Sequence, residues 1–252
     1  MGNKIRRYEI FARLLYYTET KLKIRIPLGS KTRWKASVNF EIDFWDNWFK
    51  EKGGIYREDY KNRLNPDYCL EDDIGKLIPD SLTRVNILDV GAGPLTFLGK
   101  KWKDKELNII ATDALADSYD EILKKYEIIP IVRTQKIDAE KLDEKFQENT
   151  FDLSVARNCL DHSYSPEDAI LQILKVTKTN GYVFLSHSQN EAINENWSGL
   201  HQWNFYLENS DFMIASKNRI INFSQKYKHL CITFVEIDKK RDYIEVKLIK
   251  NN

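Results

Sequence analysis

The sequence has few cysteines and no long apolar run. Its three cysteines, Cys69, Cys159 and Cys231, lie far apart in the 252-residue chain and share no metal-ligand spacing. This argues against a disulfide-stapled secreted scaffold and a cysteine-based zinc module, and it favours a reducing compartment with free thiols. No apolar stretch approaches the roughly 20 residues that a helix needs to span a bilayer. We therefore expect a soluble, cytoplasmic protein.

The chain also lacks an excess of either charge, although its basic residues are unevenly placed. Lys and Arg total 39 and Asp and Glu total 38, which is typical neither of a general nucleic-acid binder nor of an acidic disordered chain. Residues 1–40, however, contain ten basic and two acidic residues. Three interpretations remain open for this segment. They are a solvated charged face, attraction of an anionic small-molecule substrate, and weak contact of residues 1–35 with a membrane surface.

The first third of the chain carries mainly helix patterns. Apolar side chains recur there at helical spacing, and a short pattern of alternating basic and apolar residues indicates one strand. The predicted helices are 5–17, 40–50 and 70–78, and the predicted strand is 21–28. One face of the second helix is aromatic, which is typical of core packing and would also suit a lid over a substrate. Its members are Phe40, Phe44, Trp45, Trp48 and Phe49. We assign residues 1–80 to an N-terminal cap that contributes to the substrate site.

From Val85 onward, strand and helix patterns alternate, as is typical of a parallel sheet covered on both faces. Strands are predicted near 85–90, 107–112, 130–137, 151–157 and 181–187, and helices near 94–103, 115–126, 139–146 and 166–178. After about residue 210 the pattern is strand-rich, and the last two strands, joined by residues 238–241, predict an antiparallel hairpin. The predicted fold class is α/β, with a doubly wound Rossmann-like core at 81–252, a helical cap and a C-terminal β hairpin.

A glycine-rich turn follows the first predicted strand of the core. In the segment NILDVGAGPLTFL, Gly91 and Gly93 follow the strand, and Pro94 is placed as the first residue of a helix. Glycines let the backbone turn sharply and approach a ligand closely, and helix N-terminal amides offer hydrogen-bond donors. The dinucleotide fingerprint G-x-G-x-x-G fails here, because its sixth position is Thr96. A carboxylate at Asp89 would crowd a pyrophosphate, but it suits a ligand that carries an ammonium group.

At this turn the sequence resembles class I S-adenosylmethionine-dependent methyltransferases. Residues 88–94, LDVGAGP, are similar to the first motif of that family, which wraps the methionine end of the cofactor. Three further markers follow in order, namely Asp113 after the second strand, Asp138 after the third, and residues 156–162 at the end of the fourth. Leu95 departs from the pattern, since many members have a third glycine at this position.

The resemblance implies S-adenosylmethionine as methyl donor and S-adenosylhomocysteine as product. Asp113 would accept hydrogen bonds from both ribose hydroxyls, because a neutral diol favours a carboxylate acceptor. Asp138 would lie near the adenine amino group. The full set of predicted cofactor-binding residues is Asp89, Gly91, Ala92, Gly93, Pro94, Asp113, Ala114, Asp138, Ala139, Arg157 and Asn158.

Three of the four histidines fall beyond the carboxyl ends of predicted strands, where such folds place their reacting atoms. His162 follows the fourth strand, His187 ends the fifth, and His201 lies in the next loop. A hydroxyl acceptor needs a base, and we predict His162 in this role, with Asp161 as the second-choice base or as the group that orients the histidine. The predicted substrate-binding residues are His187, His201, Trp197 and Trp203.

Metal binding is an alternative for the same side chains. Asp161, His162, His187 and His201 are of the types that bind transition metals, but no tight spacing in the sequence supports a metal motif. The sequence therefore predicts no metal in the site.

Motifs that the sequence lacks restrict the class of methyl acceptor that we expect. Adenine and glutamine N-methyltransferases typically have Asp/Asn-Pro-Pro-Tyr/Phe after strand four, whereas this chain has Arg-Asn-Cys-Leu, so nucleic acid is not an expected partner. The segments GLHQWNF and FWDNWF resemble methyltransferases of bacterial surface-polysaccharide biosynthesis. That resemblance implies O-methylation of a sugar, nucleotide-activated or phosphoryl-type intermediate of capsular polysaccharide. The alternatives are a lipid or quinone-like acceptor and a non-catalytic scaffold that binds an adenosyl ligand.

Overall fold

The computed structural model describes residues 30–251 and a few positions of the preceding segment. Those positions are Ile10, Phe11, Leu14, Leu15, Tyr17, Thr18 and Leu22. The first six of them are helical, in agreement with the helix predicted at 5–17. Apart from Leu22, the strand predicted at 21–28 lies outside the described residues.

In the described part of the chain, helices precede the first strand, and strands and helices are interspersed after it. The helices are α1 (Ser30–Lys50), α2 (Arg57–Leu64), α3 (Asp72–Gly75), α4 (Ala116–Lys125), α5 (Pro166–Val176), α6 (Glu191–Asn194) and α7 (Phe223–Lys226). The strands are β1 (Arg84–Val90), β2 (Glu106–Asp113), β3 (Gln135–Lys136), β4 (Phe151–Arg157), β5 (Thr177–Ser188), β6 (Asn204–Glu208), β7 (Asp211–Ser216), β8 (Arg219–Asn222), β9 (Cys231–Asp238) and β10 (Tyr243–Lys250). Short 3-10 helices lie at Gly54–Tyr56, Ala139–Glu144 and Leu160–His162.

Seven of these strands form one sheet in the order β3-β2-β1-β4-β5-β10-β9. The pairs β1–β2, β2–β3, β1–β4 and β4–β5 are parallel, whereas β10 is antiparallel to both β5 and β9. The strand order reverses between β1 and β4, which is the point at which doubly wound sheets bind ligands.

The predicted α/β fold with a C-terminal antiparallel hairpin is confirmed. The division of the chain into a cap and a core at residue 80 stays a prediction.

The sheet is covered on both faces, as its apolar strands require. On one face, Ile170 and Ile173 of α5 pack in the same core cluster as Val90. On the other face, Ile74 of α3 and Trp102 pack with Ile87. Strands that are buried on both sides need near-continuous apolar runs rather than alternation, and this explains the ILDV pattern of β1.

A second, antiparallel sheet lies between β5 and the hairpin in sequence and has the order β6-β7-β8. The strand-rich pattern predicted after residue 210 is confirmed in β7 to β10. The strand β6 was not predicted, and it begins inside the GLHQWNF segment. Phe205 and Phe212 of this sheet are fully buried in the same core cluster as α5, so the second sheet widens the core on that side.

The aromatic face of the second predicted helix lies in α1, which is longer than the predicted helix. Trp45, Trp48 and Phe49 are buried and pack against α4, whereas Phe44 is 49% exposed. The stripe is therefore mainly core packing. Gly53, with φ +86°, follows the helix end as the double glycine predicted. No helix within the described residues is both long enough and apolar enough to cross a membrane.

The helix predicted at 94–103 is wrong. The chain is extended near its end and bonds to the segment before β1, because the Lys100 amide donates to the Tyr68 carbonyl at 2.6 Å and the Leu70 amide donates to the Lys101 carbonyl at 2.8 Å. A helix would bury one stripe of side chains, whereas this segment buries apolar groups in close succession. They are Leu95, Phe97 and Leu98. Pro94 consequently does not begin a helix.

Three other predicted elements are shorter than expected. The strand at 130–137 is reduced to β3, and Pro130 at its predicted start cannot donate to a ladder. The helix at 139–146 is a 3-10 helix over Ala139–Glu144, in which Lys141 has a non-helical φ of −142°. The helix at 70–78 is reduced to α3.

The extended segment around Gly99 generates a stability prediction. A methyl group added at Gly99 would lie 2.0 Å from the carbonyl carbon of Cys69. Gly99→Ala should therefore lower the free energy of unfolding by about 3 kcal/mol or more, because backbone must move to relieve the overlap. Urea unfolding followed by circular dichroism measures the loss.

Gly199→Ala is the matched control. A methyl group there meets no atom within 4 Å, so the change should cost only about 1 kcal/mol for a left-handed φ at alanine. Equal losses in the two variants would contradict the packing assigned to residues 94–103.

Candidate functional site

The glycine turn after β1 needs glycine for two separate reasons. Gly91 and Gly93 both have φ +67°, in the left-handed region that favours glycine. A Cβ at Gly91 would lie 2.4 Å from the Cβ of Cys159, and one at Gly93 would lie 2.7 Å from the indole of Trp45. The turn is thus packed between the loop after β4 and helix α1.

Asp113, at the end of β2, fastens this turn. Its Oδ2 accepts a hydrogen bond from the Gly93 amide at 3.1 Å, and its Oδ1 accepts one from the Leu115 amide at 2.8 Å. Burial raises the pKa of Asp113 to about 6, although both hydrogen bonds oppose the shift. Because each carboxylate oxygen has a further lone pair, the group can still accept hydrogen bonds from a diol.

Asp89 is fully buried in β1, two residues before Gly91. Its Oδ2 accepts a hydrogen bond from the Thr96 hydroxyl at 2.5 Å, and its Oδ1 has no hydrogen-bond partner among the described residues. Burial raises the pKa of Asp89 to about 6, against the opposing effects of Thr96 and of the Arg63 charge. A buried carboxylate oxygen without a partner is costly, and the ammonium group of a bound amino acid would satisfy it.

The remaining predicted cofactor residues are placed in different ways. Ala92, Pro94, Ala114 and Ala139 lie along the same strand ends, and Asp138 accepts a hydrogen bond from the Tyr164 hydroxyl at 3.3 Å. Two side chains bind neighbouring elements instead. The guanidinium of Arg157 forms a bidentate pair with Glu71 at 2.8 and 2.7 Å, and the Asn158 amide donates to the Tyr243 hydroxyl at 3.0 Å. The residues around the turn therefore fit S-adenosylmethionine better than these two side chains do.

Asp161, His162 and His201 meet at the carboxyl edge of the sheet. The Nδ1 atom of His201 lies 3.0 Å from Oδ2 of Asp161 and 3.2 Å from Nε2 of His162, and that Nε2 lies 3.3 Å from the same Oδ2. The cluster forms because the 3-10 helix Leu160–His162 follows β4 directly and the loop before β6 returns to it. The structure thus brings together three of the four side chains considered for a metal.

The charges in this cluster are strongly coupled. Burial alone would raise the pKa of Asp161, but His162 and His201 outweigh it and lower that pKa to about 2. Burial alone would lower the pKa of His201, but its hydrogen bond to Asp161 and the charge of that residue raise it overall. Asp161 is therefore ionised at neutral pH, and it stabilises a positive charge placed next to it.

Sequence reasoning missed the contribution of α1 to this cluster. The Oε2 atom of Glu41 lies 3.5 Å from Nδ1 of His162, and its Oε1 accepts a hydrogen bond from the Trp45 indole at 2.8 Å. A small cavity beside His162 is lined by Trp34, His162, Ser163, Leu200 and Gln202. Trp34 and Glu41 come from α1, far from β4 in sequence, so no motif spacing indicated them.

Two of the other predicted substrate residues, His187 and Trp203, are buried. His187 is 1% exposed, and neither of its ring nitrogens has a hydrogen-bond partner among the described residues. Its ring lies 4.7 Å from the ring of Phe205. Trp203 is 8% exposed in the core, whereas Trp197 is partly exposed with the Lys217 ammonium 5.6 Å from its ring. The structure does not bring His187 or Trp203 into contact with the small cavity.

Comparison with known proteins gives one informative match. Residues 88–185 match the family model described as a methyltransferase domain. This range begins at the glycine turn and includes Asp113, Asp138 and His162. No curated protein matches the sequence.

Many solved structures are similar to the chain, but distantly. The 1,6-didemethyltoxoflavin-N1-methyltransferase of Burkholderia thailandensis, solved with bound 1,6-didemethyltoxoflavin and S-adenosylhomocysteine, is 13% identical with a TM-score of 0.48 and covers 91% of this chain and 94% of its own. The PH0226 protein of Pyrococcus horikoshii OT3 is 14% identical with a TM-score of 0.43 and covers 67% of this chain and 84% of its own. With scores this low, these structures carry no argument about function, and the similarity to methyltransferases rests on the domain match, which covers 98 of the 252 residues.

The buried histidine generates a prediction on pH. Burial lowers the pKa of His187 to about 4 from an ordinary value of 6.5. The unfolded chain therefore binds more protons at this residue than the folded chain between those values, so folding loses free energy as pH falls from about 6.5 to 4. The loss due to this residue should reach up to about 3 kcal/mol near pH 4.

His187→Leu should remove this contribution. The free energy of unfolding, measured by urea at several pH values, should fall less steeply below pH 6.5 in the variant than in the wild type. His229→Leu, at an exposed position, is the control and should keep the wild-type slope. A wild-type slope in His187→Leu would show that this histidine is not held neutral by burial.

Proposed function

Because the chain is a class I S-adenosylmethionine-dependent methyltransferase, we propose that it methylates a hydroxyl oxygen of a small-molecule acceptor held beside Asp161, His162 and His201. The observation that carries the proposal is the cluster itself, where two imidazoles and an ionised carboxylate converge at the strand edge that also bears the glycine turn. When bound, S-adenosylmethionine supplies an electrophilic methyl group on sulfur. The protein must align the acceptor in line with that group and remove its proton.

The cofactor half of the proposal is supported by the donors and acceptors around the turn. Asp113 would accept the ribose hydroxyls on the lone pairs that its two amide bonds leave free. The unpartnered Oδ1 of Asp89 would accept the ammonium of the methionine part. Arg63 adds a positive charge beside Asp89, where a carboxylate of the ligand is expected. Asp138 with Ala139, at the next strand end, would lie along the adenine.

The acceptor half is supported by the position of His162. Its Nε2 would take the proton of the acceptor hydroxyl, and the buried, ionised Asp161 would stabilise the imidazolium that results. His201 would contact the acceptor, and Trp197 would lie at the rim. The burial of His187 and Trp203 favours a supporting role for these two side chains.

The surface beside His162 favours an acceptor with an apolar ring face. Trp34 and Leu200 line the small cavity there with apolar surface, against which the face of a sugar ring would pack. The Lys31 ammonium lies 4.8 Å from the ring of Tyr164, and the edge of that ring contacts Trp34, so positive charge lies near the cavity. We propose O-methylation of a sugar, nucleotide-activated or phosphoryl-type intermediate, such as a building block of capsular polysaccharide.

Asp113→Asn tests the cofactor site. The variant should bind S-adenosylhomocysteine about 10–100-fold more weakly than the wild type, because a hydrogen bond to a charged group contributes about 1.5–3 kcal/mol. Isothermal titration calorimetry measures the affinity, and the melting temperature without ligand reports any damage to the fold.

Asp117→Asn is the control for this experiment. Asp117 is an exposed residue on α4 that pairs with Lys136, and its loss should leave the affinity unchanged. Wild-type affinity in Asp113→Asn, or no binding of the cofactor by the wild type at millimolar concentration, would contradict the placement. The second outcome would also contradict both the methyltransferase activity and the alternative of a scaffold that binds an adenosyl ligand.

His162→Ala tests the acceptor site. Release of S-adenosylhomocysteine is first measured across nucleotide sugars, phosphorylated intermediates, polysaccharide fragments and a quinone, to identify the acceptor. With that acceptor, turnover should fall by about 100-fold to 10,000-fold, the range expected for loss of a general base. Affinity for S-adenosylhomocysteine should stay at the wild-type value, as should turnover in His229→Ala. Turnover near the wild-type rate in His162→Ala would remove this residue from the chemistry.

A further inference from the structure

We propose that Oδ2 of Asp161, Nε2 of His162 and Nδ1 of His201 bind one divalent transition-metal ion, and that this ion holds the oxygen of the acceptor. The metal site stands on the geometry of the described residues. The place of the acceptor on the ion rests on the proposed function.

The three atoms form a nearly equilateral triangle with sides of 3.0, 3.2 and 3.3 Å. With metal–ligand bonds of about 2.0–2.2 Å, two ligands of one ion lie about 2.8–3.6 Å apart in octahedral or tetrahedral coordination. All three sides fall in this range. The triangle therefore has the size of one face of a metal coordination sphere.

The triangle is compatible both with a metal-free and with a metal-bound site. In the metal-free protein, Oδ2 of Asp161 has two lone pairs and can accept hydrogen bonds from Nδ1 of His201 and from Nε2 of His162. When these two nitrogens are deprotonated, three lone pairs converge on one point, which a cation would occupy.

The carboxylate of Glu41 also lies next to the second ring nitrogen of His162. Nδ1 of His162 is 3.5 Å from Oε2 of Glu41, whose other oxygen is held by the Trp45 indole. Histidines that bind metals almost always donate their second ring N–H to such a group, which fixes the ring and raises its basicity. Glu41 is therefore a positioning residue for the site, and it comes from α1 rather than from the core.

The chemical types of the three ligand atoms indicate which metal ions the site would bind. Two imidazoles and one carboxylate suit zinc and other first-row divalent ions, whereas magnesium and calcium favour oxygen-only sites. Three protein ligands leave at least one position open for another molecule. The small cavity that His162 lines together with Trp34 and Gln202 has room for about one water molecule, and the acceptor oxygen would take the place of such a water at the open position.

The ion would change how the acceptor is activated. A hydroxyl that coordinates a divalent ion loses its proton more readily, as metal-bound water does. The proton passes to solvent, the oxygen–carbon bond forms as the sulfur–carbon bond breaks, and the electron pair of that bond goes to sulfur to give S-adenosylhomocysteine. With the ion bound, His162 acts as a ligand, and in the metal-free protein it acts as the base.

Cobalt binding tests the site without cofactor or acceptor. The purified chain is stripped with a chelator and titrated with Co²⁺, and visible absorption reports coordination by imidazole. The wild type should bind one ion per chain. Asp161→Asn and His201→Ala should lose this binding, and Glu41→Gln should weaken it by about 10–100-fold. His229→Ala and His187→Leu should bind as the wild type does, and melting temperatures confirm that each variant folds.

The outcomes separate the two proposals. No spectral change at millimolar Co²⁺, or unchanged binding in both Asp161→Asn and His201→Ala, would overturn the metal site. Loss of binding in His187→Leu would overturn the assigned ligand set. If methyl transfer proceeds at the same rate in the stripped and the metal-loaded enzyme, the ion does not hold the acceptor and His162 remains the base. If the chain binds Co²⁺ but methylates no acceptor, the metal site stands and the proposed function fails.

Discussion

The geometry of the site depends on the carboxylate of Asp113. It holds the Gly93 amide with one oxygen and the Leu115 amide with the other, so that the glycine turn, the end of β2 and the start of α4 are fixed together. The Thr134 hydroxyl donates to the Gly93 carbonyl at 2.8 Å from the other side. The turn therefore has its conformation before any ligand binds, and its hydrogen-bond acceptors are already oriented for the cofactor.

Helix α1 connects the glycine turn to the cluster of Asp161, His162 and His201. Trp45 packs on Gly93, where only a hydrogen leaves room for the indole, and its N–H holds Glu41 beside His162. A change in the packing of α1 would thus reach both the glycine turn and the cluster of Asp161, His162 and His201. Glu41, which lies beside His162, comes from this helix.

The sequence predicted those parts of the fold that depend on local pattern. The alternation of strand patterns with helix patterns indicated the parallel sheet, two successive strand patterns indicated the hairpin, and the spacing of motifs located the turn and Asp113. The helix predicted at 94–103 failed because its residues bond to the segment 68–70, which lies elsewhere in the chain. The same limit applies to the site. Asp161 and His162 are adjacent in sequence, but His201 and Glu41 reach them only through tertiary packing.

A crystal structure with bound S-adenosylhomocysteine tests most directly whether Asp113 binds the ribose and whether the methyl donor faces the cluster of Asp161, His162 and His201. Both ribose hydroxyls should lie about 2.7–3.0 Å from the carboxylate of Asp113, and the sulfur should face the triangle formed by Asp161, His162 and His201. A ligand whose ribose is remote from Asp113, or whose sulfur points away from that triangle, would contradict this placement.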